Sequence, residues 1–233
     1  MKFTWRSELP ALAVLVMLFA LAAWAWPGAP ERMPVHWGLG GAPDRWGGKW
    51  EGLLLLPTLA VGFYLVFLVL PSFDPGRANY PRFAGAYFAV RLAVLGMFAA
   101  IHAAMLAAAR HPTLDMNLVM LPAAGVMLMI VGNLMGKLRP NWFIGVRTPW
   151  TLSSKRSWDR THRAAGWACI ACGALFIAAG AVQRPWAGGA ALAALMACAL
   201  GLVVYSWRVW STDPDRVPPA GTSPAEDADV REP

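Results

Sequence analysis

"KLRPNWFIGVRTPWTLSSKRSWDRTHR", residues 137–163, lies between two long apolar runs and holds seven of the chain's twenty lysines and arginines. Trp142, Trp150 and Trp158 recur in it at eight-residue spacing. A basic, aromatic segment between uncharged runs has the character of a connection between membrane-spanning helices: cations collect on one side of a bilayer, and indole rings favour the headgroup level. Outward from this segment, the composition agrees. Of 233 residues, 58% are hydrophobic and only 14% are charged, with a mean hydropathy of +0.46, outside the range of a soluble domain. Six runs approach the ~20 residues that a bilayer core demands of a helix: 9–26, 53–70, 83–109, 117–134, 164–182 and 187–207. The sequence therefore predicts an all-α, polytopic integral membrane protein with six transmembrane helices.

Orientation follows from charge. Fourteen Lys and Arg fall in the N-terminus, the second and fourth connections and the C-terminus, against five in the other three connections. By the positive-inside rule both termini and the 137–163 loop are expected in the cytoplasm and the 27–52 loop outside. All thirteen tryptophans stand at run ends or in loops. A competing reading takes Lys2, Arg6, the first apolar run and "AWA" at 23–25 as a secretory signal peptide cleaved after Ala25. The expected organisation is a two-helix unit over 1–72 with its outer loop 27–52, a bridging third helix with flanking loops over 73–116, a three-helix unit over 117–210 carrying the basic loop, and a disordered acidic, proline-rich tail over 211–233.

Within the basic loop, Pro140 and Pro149 interrupt helix and push Thr148 toward extended geometry. Residues 140–150 are expected to be irregular, with Asn141 and Arg147 meeting backbone groups. Ser153 or Ser154 can then cap a basic amphipathic helix that runs on into the fifth span. Lys155, Arg156, Asp159, Arg160 and Arg163 fall on its outer arc, and Trp158, Thr161 and His162 face the bundle. Asn133 adds a polar group at the end of the fourth span.

From Gly132 to Gly166, "GNLMGKLRPNWFIGVRTPWTLSSKRSWDRTHRAAG" closely resembles the signature of the SdpI family of bacterial immunity proteins against a sporulation-delaying toxin. The outer loop "MPVHWGLGGAPDRWGGKW" resembles the domain of unknown function that commonly precedes it, through Pro34, His36, Gly41, Pro43, Asp44 and Lys49; Gly38 departs from that pattern, where a polar residue, often asparagine, is usual. The resemblance implies a multi-pass protein of the bacterial inner membrane. It further implies protection from a toxic peptide on the outer side, and a basic loop that holds a cytoplasmic repressor. Its carried-over positions are Arg147, Thr148, Pro149, Trp150, Trp158 and His162.

Two other constellations stand out. Arg91 and His102 are eleven residues apart, on one face of the third span, where an ionisable pair either bonds to neighbouring helices or, with Asn133, lines a polar route in a small transporter or flippase. His36, Asp44 and Lys49 in the outer loop suggest a membrane enzyme, but one histidine at no metal spacing implies no metal site; an Asp44/Arg45/Lys49 cluster reads better as a cap over the outer mouth. "CIAC" at 169–172 places two small residues on one packing face. No phosphate-binding glycine loop or nucleophile elbow is present. The expectation is a non-enzymatic protein without cofactors, in contact with membrane lipids and not directly with nucleic acid.

Overall fold

The computed structural model describes residues 4–38, 40–111 and 113–217. Lys2 and the expected tail beyond Val217 lie outside them. Six of its helices are long and apolar enough to cross a membrane. They are α1 (Trp5–Ala25), α2 (Lys49–Phe73), α3 (Tyr80–Arg110), α4 (Asn117–Met135), α6 (Lys155–Val182) and α7 (Pro185–Ser211); α5 is a single turn, Pro149–Leu152. Each helix extends past its apolar run, most of all α6, which starts in the basic segment. One end of the bundle carries the 74–79 connection and the basic segment, and the other carries a hairpin.

The 27–52 connection holds two strands. Arg32–Trp37 (β1) and Pro43–Gly48 (β2) pair as an antiparallel hairpin, with register breaks on either side of His36. Prolines at 34 and 43 conceal this from a pattern reading, since proline argues against strand. At the tip, Gly41 has φ +79°, and any Cβ there would lie 1.8 Å from the Asp115 carboxylate. Its carbonyl accepts from the Met116 amide at 3.2 Å, tying the hairpin to the α3–α4 connection. Met33 is fully buried, against Leu53 and the Gly52 backbone.

Two packing modes build the bundle. Helices α1, α2 and α3 interlock through Ala11, Leu15, Leu18, Ala60, Tyr64 and Leu95. The contact of α4 with α6 is backbone on backbone instead. Gly125 and Gly132 of α4 face Gly173 and Gly166 of α6, so that a Cβ on any of them would lie 2.5–2.8 Å from the facing carbonyl oxygen. Seven residues beyond Gly173, Gly180 lies under Pro122. Lipid offers no hydrophobic drive between helices, so close approach over small residues supplies the attraction through dispersion contacts. These glycines recur at seven-residue intervals. Helix α7 then packs Ala187 and Ala191 on Phe176 and Ala179 of α6.

Gly132→Leu or Gly166→Leu is expected to lower stability by about 1–3 kcal/mol or more through overpacking, measured by detergent-denaturant titration in mixed micelles. Gly201→Ala, where a Cβ meets open space, is expected to be neutral.

Candidate functional site

Residues 139–148 have neither helix nor strand to satisfy their peptide groups, and buried side chains do it instead. Asn141 is fully buried. Its Nδ2 donates to the carbonyls of Arg139 (2.9 Å) and Ile144 (3.1 Å), and its Oδ1 accepts from the amides of Phe143 (3.0 Å) and Ile144 (2.7 Å). All the bonding capacity of the amide is thereby spent on one turn. Arg147 donates from Nη1 to the Trp142 carbonyl at 2.9 Å, so both residues meet backbone as expected.

His162 holds the next stretch. Its Nε2 accepts from the Val146 amide at 3.1 Å, which places the ring proton on Nδ1, where it is donated to the Trp158 carbonyl at 2.9 Å. The ring stacks on the buried Trp158 at 4.0 Å between centroids, and Trp158 Nε1 donates to the Leu138 carbonyl at 3.2 Å. Gly145 makes this approach feasible. It has φ +106°, and a Cβ there would lie 2.2 Å from His162 Nε2.

Thr148, extended before Pro149, caps α5 by a reciprocal exchange with Thr151. It also bonds Ser206 of α7 at 3.0 Å, while Ser157 of α6 donates to the Ser206 carbonyl at 2.8 Å. Trp150 follows, half-buried, as the second residue of α5. Ser154 caps α6, accepting from the Ser157 amide at 2.9 Å. Ser157, Trp158, Thr161 and His162 turn inward, and Lys155, Arg156, Arg160 and Arg163 remain exposed. The basic arc therefore lies on the outer face of a firmly seated helix.

Several contributors were not read from the sequence. Asp74, at the end of α2 and buried, accepts from the Gly76 amide (2.6 Å), the Tyr80 hydroxyl (2.7 Å) and the Trp142 amide (3.1 Å). Beside it Asn79 donates to the Pro140 carbonyl at 2.8 Å, and the α2–α3 connection is thus fastened to the basic segment. Beyond α7, Ser154 donates to the buried Asp213, and the Val217 amide donates to the Ser153 carbonyl at 3.1 Å. The segment expected to be tail from Ser211 is consequently tied down at its start.

The remaining candidates do not join this site. Asn133 is exposed on α4, whereas Arg91 and His102 are buried inside the bundle. Arg91 is paired inside the bundle rather than snorkelling: its Nη2 is 2.8 Å from Glu8 of α1, which also accepts from the Tyr64 hydroxyl of α2 at 2.9 Å. The guanidinium lies 5.1 Å from the ring centres of both Tyr64 and Phe88. Glu8 stands one residue before the first apolar run, which is why it was not taken as a partner. In the hairpin, the expected cluster resolves into separate pairs: His36 Nδ1 with Asp44 at 2.5 Å, Arg45 with Glu51 at 2.7 Å and Lys49 with Glu31 at 3.7 Å. His36 and Asp44 are well exposed. Cys172 lies 3.7 Å from Cys198 of α7, so the "CIAC" face does pack helix on helix.

Glu8→Ala leaves a buried guanidinium without its counter-charge and is expected to cost about 3–5 kcal/mol. The Glu8→Leu/Arg91→Met double variant is expected to regain most of that, both read by the same denaturant titration. At Asp213, the Ser154 hydroxyl foremost, then the Asp215 amide and the charges of Arg156 and Arg216, hold the carboxyl below the usual aspartate range against the opposing effect of burial. A depressed carboxyl contributes stability above its unfolded pKa of ~3.9 and loses it as pH falls through the lower folded value. A fluorophore on Val217→Cys is accordingly expected to report release of this clasp only below the ordinary aspartate range, and Asp213→Asn to abolish that transition.

Comparison with known proteins finds matches for two stretches of the chain. Residues 137–206 match the SdpI/YfhL protein family, and residues 13–61 match a domain of unknown function, DUF1648. The chain is 23% identical to the immunity protein SdpI of Bacillus subtilis (strain 168) over 168 residues, which cover 72% of this chain and 78% of that protein. No solved structure matches. With six apolar helices and these similarities, the chain is a multi-pass bacterial membrane protein, similar to the SdpI/YfhL family over 137–206 and to DUF1648 over 13–61.

Proposed function

We propose that this protein protects its host cell from a secreted toxic peptide, with the hairpin end outside and the basic end in the cytoplasm, where it docks a repressor. The observation that carries this reading is the platform itself. The segment with the family match, 137–206, forms an exposed basic face seated on a backbone held by buried side chains, among them Asp74, Asn141, Thr151 and His162, an arrangement that a charge anchor alone does not require. A shallow cavity of about 880 Å³ adjoins that face, lined by Asn79, Arg82, Arg139, Lys155 and Asp159 among others. A protein with an acidic patch is the complementary partner.

Coupling between the two ends has a physical route. The hairpin tip is bonded to the α3–α4 connection, α4 touches α6 through backbone, and α6 begins in the platform. A peptide that displaces the hairpin end would bias the position of α6, because glycine-on-glycine contact leaves no side chain to absorb the shift. The ion pair of Glu8 with Arg91 favours a packing role for that face over a transport role. An exposed His36–Asp44 pair gives the enzyme reading a hydrogen bond and no enclosed site.

Bacillus subtilis cells deleted for their own immunity protein and producing this chain are expected to survive the sporulation-delaying toxin. Trp150→Ala and Arg147→Ala, at unchanged membrane levels, are expected to lower survival at least about tenfold, the consequence of ~1.4 kcal/mol of lost interaction. Full-level production without protection would overturn the reading.

A further inference from the structure

A second cavity, of about 320 Å³, lies between the irregular segment, α6 and α7. Its walls are apolar. Ala165 and Ala168 of α6 and Ala199 and Leu202 of α7 line it, with Cys169 and Cys198 alongside. Small side chains leave this slot unfilled by the protein, and an unfilled slot forfeits the dispersion contacts of its lining. A hydrocarbon chain restores them.

One lining side chain is ionised, and it is Arg147, on the segment that closes one end of the slot. Its guanidinium has five donors, of which the Trp142 carbonyl takes one at 2.9 Å. Among the described residues no carboxylate lies within ion-pair distance of it, and none lines the cavity. The fork geometry of arginine suits phosphate oxygens in particular. Trp142, 53% exposed, and half-buried Trp150 flank the arginine, and tryptophans of this kind mark the headgroup level of a bilayer. A single cation above an apolar slot at that level complements an amphiphile with an anionic head and a hydrocarbon tail.

We propose that the crevice beneath Arg147 binds an anionic phospholipid, with the phosphate on the guanidinium and one acyl chain between α6 and α7. Free phosphate would leave the slot unused, and a zwitterionic lipid brings its own cation to the arginine. The assignment depends neither on which way the chain crosses the membrane nor on the immunity role. It does place a lipid under the segment that carries Thr148 and α5, so lipid occupancy would help to hold the platform.

The test uses the full chain purified in detergent, with phosphatidylglycerol or phosphatidylcholine added and bound lipid counted by native mass spectrometry. Wild type is expected to retain phosphatidylglycerol in preference, Arg147→Ala to retain about tenfold less, as for loss of a charge-assisted hydrogen bond, and Ala199→Phe to lose it by filling the slot. Arg184→Ala, which removes one positive charge at the opposite end, is expected to behave as wild type. Phosphatidylglycerol is also expected to slow maleimide labelling of Cys169 and Cys198 in the unsubstituted protein, a readout that needs no variant to fold. Equal retention of the two lipids by wild type, unchanged labelling, or equal losses in Arg147→Ala and Arg184→Ala would overturn the proposal.

Discussion

Ten residues of irregular backbone, 139–148, lie at the end of a helix bundle with no ladder to satisfy their peptide groups, and the architecture of that end follows from this need. A buried amide or carbonyl left without a partner costs about 1–3 kcal/mol. Partners come from Asp74 after α2, Asn79 before α3, Asn141 within the segment, Thr151 on α5 and His162 on α6. Each acts as a local template for a turn that the prolines would otherwise leave undetermined. The segment is therefore fastened at the ends of α2 and α3 and to α6 and α7.

The rest of the bundle places its polar groups with the same economy. Deep in the α1–α2–α3 half, Arg91 is tolerable because Glu8 neutralises it and the Tyr64 hydroxyl donates a second bond to the same carboxylate. In the α4–α6–α7 half, α4 meets α6 glycine on glycine, α7 packs on α6 through alanines, and the polar groups gather at the basic end, through Ser157, Ser206 and Thr148. One half is pinned by charge and aromatic packing. The other is held by close backbone approach between α4 and α6.

Much of this could be read from the amino-acid sequence, for reasons that differ by element. The six helices were legible because lipid demands length and apolarity, both of which are linear properties. The irregular stretch, the Ser154 cap and the inward turn of Trp158 and His162 were legible because prolines, caps and helical period act locally. The Glu8–Arg91 pair was not, since its partners are far apart in the chain and Glu8 abuts a run rather than interrupting it. Asp74 was missed for the same reason, as an acid in a connection that gives no local sign of reaching the Trp142 amide. The hairpin was hidden by its prolines. The glycines at 125, 132, 166, 173 and 180 carried a seven-residue period that was overlooked inside uniformly apolar runs.

The functional account joins these parts: a rigid basic platform at one end, a hairpin at the other, and backbone-to-backbone helix contact between them. Its central claim is that the platform is folded rather than a mobile charged loop. Hydrogen–deuterium exchange on the full chain in lipid nanodiscs tests that claim directly. The amides of Trp142, Ile144, Val146 and Thr151 should exchange as slowly as those of the first turns of α6, since each donates to a protein acceptor. Exchange of these four at the rate of an unstructured peptide would contradict the account.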